Sequence, residues 1–315
     1  MKTPKKRRSR HQREATTQAI TLTERDLDLF EALYKRRAAT AEQLAGLLFG
    51  KPLNSYLRTR LASLFHQQYL RRRFLMTPYG IAPSKIIHLL DRKGGRLLAE
   101  KRGYMVKSTS EYDTLSQDFL EHSLAITDIE VALLNGCRSL NYILKVWQWE
   151  RFIKADYDTI SVGNGKPHAV QPDSYAAITI PHKLLSTTTH YLVEMDRGTE
   201  ARRQFEPKIP TYIAYFRSRE CRARYGTNKL RVLIVTTSPR RLANIKKITE
   251  SADGKSRFWF TTLDQLKETN ALQDSIWQVA GRDGTFSLLD STQEKGIAAI
   301  LAIPFISLST RSSFR

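Results

Sequence analysis

Three short helical patterns, each opened by a capping residue, follow one another between residues 23 and 70 with almost no chain between them. A segment built this way has to close as a tight helical cluster. Thr23 to Arg37 (TERDLDLFEALYKRR) carries Asp26 three positions after Thr23 and spaces Leu27, Phe30, Leu33 and Tyr34 along one face, which predicts a capped amphipathic helix. Thr40 with Gln43 opens a second, shorter helix whose apolar stripe is Leu44, Leu47 and Leu48 and whose stop signal is Gly50. A third helix is expected from Ser55 through Leu70. Its Leu57, Leu61, Leu64 and Phe65 face inward, leaving Tyr56, Arg58, Thr59 and Arg60 for the outer face.

Arg71 to Met76 and Lys85 to Leu90 then read as two strands around the turn chemistry of Pro78-Tyr79-Gly80, a β-hairpin. Asp91 to Lys101 leads into a fourth helix. The stretch from about 20 to 105 resembles a winged helix-turn-helix domain. The resemblance implies a third helix in the major groove of DNA, with Tyr56, Arg58, Thr59 and Arg60 near base edges and phosphates. Arg71, Arg72 and Arg73 on the hairpin would then lie along the backbone.

The charge distribution points the same way. The 315 residues include 51 Lys/Arg and 31 Asp/Glu, a formal net charge of +20. Residues 1–100 hold 21 Lys/Arg against 8 Asp/Glu, so this first third carries +13. Residues 1–19 read as a flexible basic tail, with Lys2, Lys5, Lys6, Arg7, Arg8, Arg10 and Arg13 suited to releasing counterions from a phosphate backbone. DNA is the expected partner. Cys137 and Cys221 form no paired framework, which favours a reducing compartment, and the cytoplasm is expected. The longest apolar run, Gly296 to Leu308, contains Pro304 and is shorter than the ~20 residues of a membrane span, so no membrane partner is expected.

Polar residues without periodicity lie between 103 and 112, and a second domain is placed at 113–290, with 291–315 as a C-terminal extension. Leu115 to Leu134 reads as a long helix and Tyr142 to Trp149 as a strand. Further strands are expected at Ala169 to Ile180, Thr189 to Met195, Leu230 to Thr236 and Phe258 to Thr261, with helices at Glu200 to Arg217 and Pro239 to Ser251. The order describes a mixed α/β domain, and the chain as a whole is α/β. Gln171-Pro172-Asp173 falls inside one expected strand and Glu194-Met195-Asp196 ends the next, so Asp173, Glu194 and Asp196 can meet at one sheet end. Clustered carboxylates repel unless a proton or a hard cation neutralises them. Mg²⁺, which takes one or two carboxylates plus phosphate oxygens, is the cofactor such a site suits, and phosphodiester cleavage is its natural chemistry.

This spacing resembles the PD-(D/E)xK nuclease superfamily, that is, a restriction-endonuclease-like domain. The resemblance makes Asp173 the first acid and Glu194 the second, while Asp196 stands where the lysine belongs. A substitute is sought on the following helix, in Lys208 with Gln204 on one face or Arg202 and Arg203 nearer its start, although Lys208 would lie roughly 12 Å along that helix from Glu200. The expected catalytic set is Asp173, Glu194 and Lys208, and the expected metal ligands are Asp173, Glu194 and Asp196. Glu121 and His122 on the long helix are a further source of a ligand or acid.

Taken together, the helical start, FLEHSLAITDIEVAL (119–133), Gln171-Pro172-Asp173 and YLVEMDRGTE (191–200) resemble the replication-relaxation family of plasmid and mobile-element proteins, over about residues 20–290. The resemblance implies a role in plasmid replication and DNA relaxation, alongside other plasmid replication or mobilisation proteins. A DNA-nicking nuclease and a non-catalytic replication or transcription regulator both remain open. The His-hydrophobe-His spacing of a conventional relaxase is missing. Gly254-Lys255-Ser256 has Thr249 where a phosphate loop needs its first glycine.

Overall fold

The computed structural model describes residues 10–14, 19–75, 85–106, 114–163, 165–182, 186–198 and 205–289. The turn Pro78-Tyr79-Gly80, the 107–113 segment, Arg202, Arg203, Gln204, most of the basic tail and the C-terminal extension lie outside the described residues.

The first unit runs α1 (Glu24–Arg36), β1 (Ala39–Thr40), α2 (Ala41–Phe49), α3 (Ser55–His66), β2 (Leu70–Phe74), β3 (Ile86–Leu90) and α4 (Arg92–Arg102). Capping sets the starts of the helices as the sequence dictates. The Thr23 backbone N–H and hydroxyl both donate to Asp26, the Thr40 hydroxyl accepts from the Gln43 N–H, and Asn54 caps α3 by accepting from Leu57. α3 ends earlier than its apolar pattern suggests. Gln68 adopts a left-handed φ of 65°, and Leu70 is already the first residue of β2, opposite Leu90. The three strands form an antiparallel sheet in the order β1-β3-β2. Phe30, Leu33, Leu44, Leu64, Leu70 and Leu89 are wholly buried between helices and sheet. Each contributes about 1.5–3 kcal/mol by leaving water. α4 starts so close to the chain entering β2 that only glycine fits at Gly94, where a Cβ would stand 2.5 Å from the Tyr69 carbonyl oxygen.

The second unit comprises α5 (Gln117–Ser139), β4 (Ile143–Trp149), α6 (Glu150–Ile153), β5 (Asp158–Val162), β6 (Lys166–Val170), β7 (Ser174–Ile180), β8 (Thr187–Asp196), α7 (Lys208–Tyr215), α8 (Arg219–Tyr225), β9 (Leu230–Thr236), α9 (Pro239–Ser251), β10 (Phe258–Thr262), α10 (Leu263–Glu268) and β11 (Gln278–Val279). Six strands make a mixed sheet ordered β11-β10-β9-β8-β7-β4, with β8, β9 and β10 parallel and the remaining pairs antiparallel. Alternation along the strands gives two apolar faces. Tyr191, Val193, Leu233 and Val235 meet α5 and α10 on one side, while Leu192, Val232, Ile234 and Phe260 meet α7 and α9 on the other. The result is a three-layer α/β/α arrangement.

Two expected elements change here. The strand expected at Ala169 to Ile180 is divided between β6, paired only with β5, and β7 in the main sheet. Pro172, with no N–H to give a ladder, sits at the break. The helix expected at Glu200 to Arg217 has Lys208–Tyr215 as its described core, entered through Pro207, whose fixed φ suits the start of a helix better than its interior.

α5 belongs to both units. Its Leu120 and Leu124 pack into the helical core, and Ile129, Leu133 and Cys137 pack under the sheet. Polar contacts fasten the same junction: Arg36 pairs with Glu130, Gln43 donates to the Leu124 carbonyl (2.8 Å), and Arg138 donates to the Leu47 carbonyl (2.7 Å). No helix among the described residues is long and apolar enough to cross a membrane.

Candidate functional site

Strand register brings the acids together. Trp149 of β4 is opposite Ser174 of β7, which is opposite Val193 of β8. The next residues past that line, Glu150, Asp173 and Glu194, therefore share one end of the sheet. α5 passes over this end and supplies His122, while α7 begins beside it and presents Lys208 and, one turn on, Tyr212.

Ligand atoms of His122, Glu150 and Asp173 all lie within 4.8 Å of one another. His122 Nε2 is 3.1 Å from Asp173 Oδ1, and Asp173 Oδ2 accepts the Met195 backbone N–H at 2.8 Å. Burial opposes charge on Asp173, but His122, the Met195 N–H and Lys208 outweigh it and hold the carboxyl below its usual range. His122 is half-buried, which opposes its charge, yet Asp173 with Glu150 and Glu194 nearby raises the affinity of its ring for a proton. Glu150 is additionally paired with Lys154 one turn along.

Glu194 is differently engaged. Its side chain is only 4% exposed; Lys208 Nζ donates to Oε2 at 3.1 Å and the Tyr212 hydroxyl donates to Oε1. Burial, reinforced by Asp173, pushes the Glu194 carboxyl up to about 7 against the opposing pull of Lys208 and Tyr212. Lys208 thus reaches the acids directly, because it opens α7 instead of lying roughly 12 Å along a longer helix.

One expected ligand is placed elsewhere, and another is held by different partners. Asp196, read as a metal ligand, is 1% exposed and accepts from Arg241 Nε and Nη2 at 3.0 and 2.8 Å and from the Gly198 N–H at 2.6 Å. Its charge is balanced inside the protein. Glu194, also read as a ligand, is outside the His122, Glu150 and Asp173 group. Glu121 turns away to Arg197 and Gln117. Glu150 was missed in the sequence; its signal is the position immediately after the apolar strand ILKVWQW, but that carries meaning only once strand register is known.

On the first unit, Tyr56, Arg58 and Thr59 are exposed on α3, with Tyr56 at 64%. Arg60 is not with them. Its Nε donates to Asp26 at 2.8 Å and its Nη2 to the Thr21 carbonyl at 2.7 Å, which removes it from the outer face. The β2 arginines are half-buried: Arg71 donates to Asp91 (2.7 Å), Arg72 lies 4.2 Å over the Phe65 ring, and Arg73 donates to the Leu115 carbonyl (3.2 Å). The hairpin arginines are thereby tied to the body of the unit.

Fold and site together define a mixed α/β protein with a histidine–carboxylate cluster and a lysine–glutamate pair at one sheet end, joined through a shared helix to a basic helical unit. The chain belongs to the replication-relaxation family, which matches residues 30–230. No curated protein matches it. Two solved structures are similar: restriction endonuclease FokI bound to DNA (12% identity, 78% of this chain and 43% of that one, TM-score 0.24) and restriction endonuclease FokI (12% identity, 79% and 45%, TM-score 0.25). The chain spans less than half the length of either.

Proposed function

We propose that this protein binds DNA through its first unit and cleaves one phosphodiester strand at the sheet end of its second, in the replication of a plasmid or mobile element. The observation that carries the reading is the convergence of His122, Glu150 and Asp173 next to the Lys208–Glu194 pair. The element order α1-β1-α2-α3-β2-β3 supports reading the first unit as a winged helix, with Tyr56, Arg58 and Thr59 as the DNA-facing side chains. The order α5-β4-β7-β8-α7-β9 supports a restriction-endonuclease-like core.

The donor set fits a divalent cation. Octahedral ligands at ~2.1 Å from a metal stand about 3 Å apart when adjacent and about 4.2 Å when opposite, compatible with three donor atoms within 4.8 Å of one another. Glu150 and Asp173 would hold Mg²⁺ through oxygen, and all three residues, with the His122 imidazole, would hold a transition-metal divalent cation such as Mn²⁺. Such an ion supplies positive charge to the phosphate oxygens. Lys208 adds a second positive charge where negative charge develops. Glu194 keeps that ammonium in place and accepts the proton of the attacking water as the new P–O bond forms; the ester P–O bond breaks and the leaving oxygen departs as a hydroxyl after taking a proton from solvent water.

A non-catalytic regulator is the second reading, favoured by how fully Glu194 and Asp196 are already satisfied by Lys208, Tyr212 and Arg241. Purified protein incubated with supercoiled plasmid separates the two. Nicking that needs Mg²⁺ or Mn²⁺, stops with EDTA and disappears in Asp173→Asn supports the nuclease. Tight DNA binding without cutting of supercoiled, linear or forked DNA supports the regulator.

A further inference from the structure

A cavity of about 850 Å³ opens in the first unit between the end of α3, β2, the start of α4 and the N-terminal segment at His11 and Arg13. Six cations line it, Arg13, Arg71, Arg72, Arg92, Lys93 and Arg96, against two carboxylates, Asp91 and Glu100. Asp91 is already committed to Arg13, Arg71 and the first N–H of α4. Glu100 is exposed beside Lys101 at 3.1 Å. Arg72, Arg92, Lys93 and Arg96 therefore have no carboxylate partner among the described residues.

Arg72 is the informative one. It is half-buried over Phe65, donates to the Arg10 carbonyl at 3.3 Å, and its Nε is buried with no hydrogen-bond partner. A guanidinium held away from water without a counter-charge is costly to fold, and here burial and Arg10 push its pKa down to about 10. Lys93 lies 4.2 Å over the Tyr69 ring, and Arg92 and Arg96 are exposed one turn apart at the positive end of α4. An anion in the cavity supplies the charge that Arg72 lacks and meets three more cations at the mouth.

We propose that this cavity binds phosphate groups of a nucleic-acid backbone, as a contact separate from the exposed face of α3. Tyr56 and Phe65 are about 13 Å apart along the α3 axis, so the two contacts lie on different parts of a bound strand. The proposal rests on the DNA-binding reading above. Its chemistry, a phosphate oxyanion on guanidinium groups, would equally accept a free oligophosphate, and the experiment distinguishes these sources.

The 315-residue protein and an Arg92→Gln/Arg96→Gln variant are compared by fluorescence anisotropy on duplex DNA across a salt series, and by thermal melting with inorganic tripolyphosphate. Both substitutions are at exposed positions. The expected result is a salt slope shallower in the variant by about 0.9 for each phosphate that the variant no longer neutralises, with tripolyphosphate stabilising wild type and not the variant. Loss of tripolyphosphate stabilisation with an unchanged DNA slope assigns the pocket to free oligophosphate and overturns the backbone contact. An unchanged slope together with equal melting responses overturns the site altogether. Wild type that fails to bind DNA but is stabilised by tripolyphosphate through Arg92 and Arg96 overturns the DNA-binding reading and keeps an anion pocket.

Discussion

Arg58 and Arg60 are two residues apart on α3 but are expected to fail in opposite ways when replaced by alanine. Arg60→Ala leaves Asp26, 1% exposed, as a buried carboxylate without its guanidinium. Breaking one partner of a buried pair costs about 3–5 kcal/mol. Asp26 keeps its two Thr23 hydrogen bonds, so the expected loss is near the lower end, about 3 kcal/mol. With an m-value of about 2 kcal/mol/M, this moves the urea midpoint down by about 1.5 M. The native Asp26 carboxyl lies below its ordinary value of 3.8 because Arg60 and Thr23 outweigh burial. The stability it contributes is present above that ordinary value and is lost as pH falls through the lowered native pKa. Without Arg60, burial raises that pKa, and the penalty of the substitution shrinks in acid as Asp26 takes up a proton. Arg58→Ala should leave stability within about 0.5 kcal/mol of wild type, a midpoint change of at most about 0.25 M, and weaken a preferred DNA site by about 1–3 kcal/mol if Arg58 reads guanine. Urea unfolding at pH 7 and pH 4, with anisotropy on duplex DNA, reads both. Equal urea midpoints for the two variants would refute the assignment of Arg60 to the interior.

His88 is buried, with its pKa pushed down to about 3 by burial and by Arg72. The unfolded chain takes up this proton near pH 6.5 and the folded chain does not, so stability falls as pH drops through that window. His88→Leu should remove about 2.5 kcal/mol of the loss between pH 7 and 4.5, measured by urea midpoints; identical pH slopes would count against it. Gly94→Ala should destabilise by about 1–3 kcal/mol, because a methyl group 2.5 Å from the Tyr69 carbonyl oxygen outweighs the ~1 kcal/mol helix-propensity gain; a higher melting temperature would show that the contact relaxes. Lys208→Ala should slow single-turnover nicking by about 10²-fold with DNA affinity retained; an unchanged rate would make Lys208 only a structural partner of Glu194.

Elements whose signals are local were legible in the sequence. β9 and α9 match their expected spans because the apolar run 232–235 and a Ser238-Pro239 helix start specify them without reference to the rest of the chain. The β5–β6 hairpin escaped because neither strand buries a full apolar face: β5 alternates only between half-buried and exposed positions, and β6, KPHAV, has no alternation. Of the residues gathered at the sheet end, Asp173 and Lys208 were already singled out in the sequence. Glu150 was not, because its place depends on the pairing of β4 with β7, a long-range fact. The role of Asp196 depended likewise on Arg241, 45 residues away. Arg60 looked outward by helical spacing, yet α1 brings a buried carboxylate to it.

If His122, Glu150 and Asp173 hold a cation as proposed, they should do so without DNA present. Mn²⁺ titration of the purified protein followed by electron paramagnetic resonance counts that site without reference to cleavage. One ion per chain is expected for wild type and for Glu121→Gln, whose side chain faces Arg197, with that binding lost in both His122→Ala and Asp173→Asn. No bound ion in wild type, or equal binding in all four proteins, would contradict it.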